Sequence, residues 1–222
     1  MANTKDFLVI GLGRFGSSVV KTLLERGQRV TIVDLDERKL LKFQNQTEYA
    51  KVADTRDEEV LAQIGVNNYD AVVVAIGSNI EANIITTLLL KDMGVEHLIV
   101  KASNAQHKSA LLKIGIDERD IILPEVQAGM KVAVQLAHPI VADYVSLIGE
   151  KFGIIEMYPK KTHLSNKTLS ELKLKEKYNV MVAAIKRGDE IILPNRDTLI
   201  GEDDSLIVIG EDDSLDEFEG LF

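Results

Sequence analysis

The stretch FLVIGLGRFG, residues 7–16, decides the fold. Four apolar residues run into Gly11-x-Gly13-x-x-Gly16, and an amphipathic pattern follows over 15–26. A glycine fingerprint between a strand and a helix is a phosphate-binding turn. Gly11 permits the tight turn, Gly13 lets the backbone approach a pyrophosphate, and Gly16 lets helix and strand pack closely. The helix N-terminus adds unpaired N–H groups and partial positive charge. Asp34 ends the second strand-like run, where its carboxylate can accept both ribose hydroxyls of an adenosine. A carboxylate there opposes the 2′-phosphate of NADP; Arg38, four residues further on, either softens that objection or reads as the plainer solvated helix residue. Arg14 and Phe15 lie between the second and third glycines. A guanidinium at position 14 can fork onto a terminal phosphate. A dinucleotide has no terminal phosphate, so Arg14 suits ATP or ADP at least as well as NAD; an Arg turned to solvent is the plainer alternative.

Outward from this loop, short β-branched runs at 7–10, 29–33, 49–53, 71–76, 97–101 and 120–123 alternate with helix-like segments at 15–26, 37–44, 57–64, 83–93, 104–114 and 125–136. Six βα repeats predict an α/β, Rossmann-like doubly wound parallel sheet. Gly27, Gly65, Gly94 and Gly115 each follow a helical pattern, where a left-handed residue is favoured. His138-Pro139 breaks the rhythm. The expected organisation is a nucleotide-binding domain over 1–137, a connecting segment over 138–150, and a smaller α+β domain over 151–222. In the last, strands are expected at 152–159, 180–186, 190–193 and 206–209, with a hairpin at Arg187-Gly188-Asp189 and a short helix at 168–174. GEDDSL occurs at 201–206 and again at 210–215 as reused turn residues. Ser214 to Glu217 fits a capping box that starts a terminal helix.

Of the 222 residues, 45% are hydrophobic and 27% charged, ordinary for a globular protein. There is no Cys, which removes disulfides and thiolate chemistry and fits a reducing compartment. With no leader-like N-terminus and no apolar run near the roughly 20 residues of a membrane span, a cytoplasmic location is expected. The net charge is −9, and residues 138–222 hold 17 acidic against 10 basic side chains. No basic stripe is present to hold a phosphate backbone, so no nucleic-acid partner is expected.

A dehydrogenase needs groups that move a proton alongside hydride. His97, His107, His138 and His163 sit in no proton-relay setting, and no Tyr-x-x-x-Lys pair or Walker A loop occurs. The weight therefore moves from enzyme to sensor.

The chain resembles the RCK-type regulatory, gating-ring subunits of bacterial Ktr/Trk potassium uptake systems, in their single-repeat Ktr form. The resemblance is carried by VIGLGRFG (9–16), VDLDERK (33–39), ADTRDEEVLAQIGV (53–66), VVVAIGSNIEANIITTLLLKDMGV (72–95), VKASN (100–104) and ILPEVQAGMKVA (122–133). It implies dimers built into an octameric ring, docked at the inner membrane face on a K⁺-translocating subunit, with ATP and ADP competing for the Rossmann site. By match of position, Arg14 reads the γ-phosphate; Asp34 holds the ribose with Asp36 nearby; Asp54 and Thr55 line the adenine pocket. Gly77, Ser78, Asn79 and Glu81 follow the fourth strand near the phosphates, and Lys101 approaches them. Glu125 helps hold Mg²⁺ or another cation at the γ-phosphate. Asp54 and Thr55 equally suit a turn capping the helix at 57, and Glu125 an acidic first turn. The resemblance also implies cyclic di-AMP at a dimer interface formed by Leu164, Leu169, Asn179, Val180 and Pro194, residues that equally read as core and turn. An NAD(H)-dependent oxidoreductase and a free-standing nucleotide or redox sensor are the competing readings.

Overall fold

A computed structural model describes residues 4–47, 49–137, 141–146, 152–158 and 164–220. The chain divides into two compact units, residues 1–126 and 127–222.

In the first unit the strands are β1 (Asp6–Ile10), β2 (Arg29–Asp34), β3 (Tyr49–Val52), β4 (Ala71–Val74), β5 (Leu98–Lys101) and β6 (Ile121–Ile122). The helices are α1 (Arg14–Glu25), α2 (Glu37–Leu40), α3 (Glu58–Ile64), α4 (Ile80–Asp92) and α5 (Ala105–Lys113); α6 (Pro124–Ala137) begins in this unit and continues past residue 126 into the second. The sheet is parallel in the order β3-β2-β1-β4-β5-β6, the expected doubly wound arrangement. Side-chain alternation explains the unbroken apolar runs. Leu8, Ile10, Val72 and Val74 face a core with Leu61, Leu90 and Leu111 of α3, α4 and α5. Val9 and Val73 face the opposite side with Val20, Leu40 and Phe43. Both faces are covered, so neither can be polar. The strand order reverses between β1 and β4, and ligands of such sheets bind at that switch point.

The glycine loop is shaped by contact. Gly11 adopts φ +92°, and a Cβ there would lie 2.9 Å from the Ile76 nitrogen. A Cβ on Gly16 would lie 1.9 Å from the Gly11 carbonyl oxygen. The four post-helix glycines also take positive φ as expected.

The second unit contains β7 (Val141–Ser146), β8 (Phe152–Met157), α7 (Leu169–Leu172), α8 (Leu174–Tyr178), β9 (Met181–Arg187), β10 (Glu190–Ile192), β11 (Ser205–Glu211) and α9 (Asp212–Glu219). Its antiparallel sheet runs β10-β9-β11-β8-β7. Met157, Ile185, Leu206 and Val208 pack with Leu172, Leu174, Leu215 and Phe218 of the helices. Asp204 is buried and accepts Arg187 Nε and Nη2, each at 2.8 Å, and the Gly201 N–H at 2.7 Å, which fixes the first GEDDSL copy as a turn.

Several expectations need correction. Residues 141–146, taken as connector, form β7 and pair with β8. His138, Pro139, His163 and residues 147–150 lie outside the described residues. The helix expected at 168–174 is two short helices, because Lys173 turns left-handed at φ 50°. The capping box belongs to Thr168 and Glu171 at α7; α9 starts at Asp212, before Ser214, without a side-chain cap.

Candidate functional site

Above the carboxyl ends of β1 and β4 lies a cavity of about 640 Å³, lined wholly by first-unit residues. Three helices start on its wall. α1 begins with Arg14, α4 follows its N-cap Asn79, and α6 opens with Pro124-Glu125; Arg14, Asn79 and Glu125 all line the cavity. Helix N-termini favour anions. The pattern over 83–93 predicts a later start for α4. The Asn79 side chain accepts the Ala82 N–H at 2.9 Å and begins the helix at Ile80 instead.

Gly11, Gly13, Phe15, Asp34, Asp36, Asp54, Thr55, Gly77, Ser78 and Lys101 also line the cavity. Gly16 and Glu81 do not: Gly16 is buried against Gly11, and Glu81 lies exposed on the first turn of α4. Gly13 differs from its neighbours, since a Cβ there would meet nothing within 4 Å. No protein atom demands glycine at 13.

At one end, Lys101 Nζ donates to Glu125 Oε1 at 2.8 Å. That bond, helped by the backbone N–H of Glu125 and the charges of Lys101 and Arg14, holds the Glu125 carboxyl below the usual range. Arg14 and Lys101 against Glu125 leave this end one positive charge in excess. At the other end, Asp34 is buried and fully engaged. Oδ2 accepts the Leu12 N–H at 2.6 Å, Oδ1 accepts the Asp36 N–H at 2.9 Å, and Lys39 Nζ lies 3.0 Å from both oxygens. Asp36 caps α2 and forks onto Arg38; Asp54 forks onto Arg56. The guanidinium hydrogen bonds hold both carboxyls low. Three carboxylates therefore face three cations, and this end is neutral.

The hydroxyl of Thr55 lies 2.8 Å from that of Thr86, a buried pair in which either can donate. Asp57, not Asp54, caps α3. Leu35, Lys39, Ala53, Arg56 and Ile76 also form the wall, and the residue-by-residue reading missed them. One signal was available: Asp-x-Arg occurs at 36–38, 54–56 and 117–119, and each time the Asp accepts the backbone N–H and the guanidinium two residues on.

Behind the wall, buried Asn83 donates to the Ile76 and Lys101 carbonyls at 2.9 and 3.1 Å, joining the ends of β4 and β5. His107 completes the network, with Nε2 3.0 Å from Asn83 Oδ1 and Nδ1 accepting the Ser103 N–H at 3.2 Å. Ser103 Oγ donates to the Gly77 carbonyl at 3.0 Å.

The proposed second-ligand residues are divided between interior and surface. Leu164 and Val180 are buried in the second core, Leu169 packs against it, Asn179 is exposed and left-handed, and Pro194 is half-buried. Among the described residues no cluster of three metal-ligating side chains occurs, and no helix is long and apolar enough to cross a membrane.

Sheet, glycine loop and cavity define a Rossmann-type nucleotide-binding domain carrying a small antiparallel module. Residues 7–123 match the TrkA-N domain and 156–222 the TrkA-C domain. Ktr system potassium uptake protein C of Bacillus subtilis (strain 168) is 41% identical over 216 residues, 97% of this chain and 96% of that protein. Ktr system potassium uptake protein A of Vibrio alginolyticus is 37% identical, covering 95% and 94%. The chain belongs to the RCK-type regulatory subunits of Ktr/Trk potassium uptake systems. Two solved structures share the fold. The GsuK channel has a TM-score of 0.69 at 16% identity, covering 99% of this chain and 40% of that one. The GsuK channel bound to NAD has a TM-score of 0.66 at 15%, with the same coverage. The chain thus spans well under half the length of these channels.

Proposed function

We propose that this chain reads the ATP/ADP state in its first-unit cavity and gates a K⁺-translocating membrane partner, without a chemical step. The observation that carries the reading is the charge asymmetry of the cavity. The Asp34 end is neutral, while the Arg14 and Lys101 end is positive and backed by helix N-termini. A nucleotide with its phosphates at one end fits this. Leu35, Ala53 and Ile76 offer apolar surface to an adenine.

A cation at the phosphates fits the donor set only in part. Among the described lining residues Glu125 is the one exposed carboxylate at the positive end, with Oε1 committed to Lys101. It would supply one ligand, and phosphate oxygens and water the rest, as Mg²⁺ accepts. The cation would neutralise phosphate charge.

Gating requires ATP to bind two conformations with different affinity. Moving an equilibrium from 1:99 to 99:1 needs about 5.5 kcal/mol. An octameric ring spreads that over its sites, and one charge-assisted contact from Arg14, about 1.5–3 kcal/mol, exceeds the share of each. The ring acts at the cytoplasmic membrane face through its partner. Cyclic di-AMP at the second unit would have to use the outer residues Asn179 and Pro194 from two copies, since Leu164 and Val180 are already buried.

Equilibrium binding of ATP, ADP and NADH to the purified chain tests the reading. ATP and ADP should bind, and ATP should change the assembly's shape in solution scattering. NADH binding at least tenfold tighter than ATP, with turnover, would sink it.

A further inference from the structure

Asp34 is the residue a ribose diol must reach, and Lys39 already occupies it. The ammonium lies 3.0 Å from each carboxylate oxygen, which places it between them. Each oxygen also accepts a backbone N–H, Oδ2 that of Leu12 and Oδ1 that of Asp36. A diol that donates one hydroxyl to each oxygen needs the position Lys39 holds. The Asp34 side chain is 7% exposed and that of Lys39 38%, so the lysine can swing out to solvent and the carboxylate cannot move to meet the ligand. Arg38 is no substitute partner, since it forks onto Asp36.

We propose that Lys39 is an internal stand-in for the ribose diol, a specificity-determining residue that adenine ribonucleotides must displace from Asp34. This rests on the nucleotide reading of the cavity. The ammonium keeps the buried carboxylate satisfied while the site is empty, and it sets a threshold that a ligand lacking the diol neither meets nor overcomes. Occupancy of the cavity is thereby coupled to the release of a lysine at its mouth.

The test compares ATP with 2′,3′-dideoxy-ATP on the full chain and on Lys39→Met, which keeps the aliphatic stem. The half-exposed ion pair sets the scale: Lys39→Met should bind ATP about two- to fivefold tighter than wild type. Binding of the dideoxy nucleotide should be unchanged. Equal or weaker ATP binding by the variant overturns the proposal while leaving the nucleotide reading intact. Failure of the wild type to bind any adenine nucleotide overturns both. A second readout uses the wild type alone. Amine-directed labelling of Lys39, read by mass spectrometry, should speed up at saturating ATP; slower labelling under ATP would count against the displacement.

Discussion

Lys101 Nζ lies 2.8 Å from Glu125 Oε1, and this ion pair links the end of β5 to the first turn of α6 at the cavity's positive end. The hydrogen bond from Lys101 holds the Glu125 carboxyl below its usual range. A cation and a phosphate arriving together would split the pair, the cation taking the carboxylate and the phosphate the ammonium. Chelation of divalent ions should therefore weaken ATP binding to the wild type, about tenfold on the scale of one charged contact. Glu125→Gln should lose that cation dependence. In chelator it should bind ADP about twofold tighter than wild type, because Lys101 is no longer shared. Isothermal titration with and without chelator checks both signs. Equal cation dependence in the two proteins would remove Glu125 from the cation site.

Arg14 opens α1 on the same wall, and its charge is felt at Glu125. Arg14→Ala should lower ATP affinity by roughly 10- to 100-fold, the worth of a charge-assisted contact. ADP affinity should fall much less and adenosine affinity hardly at all. Competition binding with the three ligands measures this. Matching losses for ATP and ADP would show that Arg14 does not distinguish the phosphate count.

Two glycines three residues apart, Gly13 and Gly16, should fail in opposite ways. A Cβ at Gly16 collides with the Gly11 carbonyl, so Gly16→Ala should cost roughly 1–3 kcal/mol or more of stability. A Cβ at Gly13 meets no protein atom. Gly13→Ala should melt within a few degrees of wild type yet bind nucleotide poorly. Thermal melts paired with ATP titrations separate the two. Intact ATP binding by Gly13→Ala would mean that no ligand comes close to that backbone.

The parts of the site that were legible in the sequence are those whose chemistry is local. The glycine loop and Asp34 at the end of β2 follow from strand-to-helix spacing, and Lys101 at the end of β5 is implied by the family resemblance. Lys39 and Leu35 are ordinary residues just beyond β2, and tertiary closure decides that both turn to the cavity. The start of α4 was misplaced because three residues beyond Asn79 are needed to see its cap. β7 read as a connector because a strand's identity depends on its partner, here β8. The pairing of Thr55 with Thr86 spans 31 positions of chain, beyond the reach of local spacing.

His107 carries a prediction of a different kind. Its Nδ1 accepts from Ser103 and its Nε2 faces the Asn83 carbonyl oxygen, and only the neutral ring with the proton on Nε2 satisfies both. Burial lowers its pKa below the ordinary 6.5. Below about pH 6.5 the unfolded chain therefore binds a proton that the folded chain refuses. Stability must fall as pH drops through that window, by at most about 1.4 kcal/mol per pH unit from this group, until the folded ring also titrates. His107→Gln can still donate to Asn83 but has no proton to gain and leaves the Ser103 N–H unmatched. At pH 7 it should be less stable by about 1–3 kcal/mol. Between pH 7 and 5.5 its urea midpoint should fall less than that of the wild type, carboxylate effects being common to both. Parallel slopes would mean that the folded ring takes up its proton as readily as the unfolded one, and that the Ser103 and Asn83 contacts do not hold it neutral.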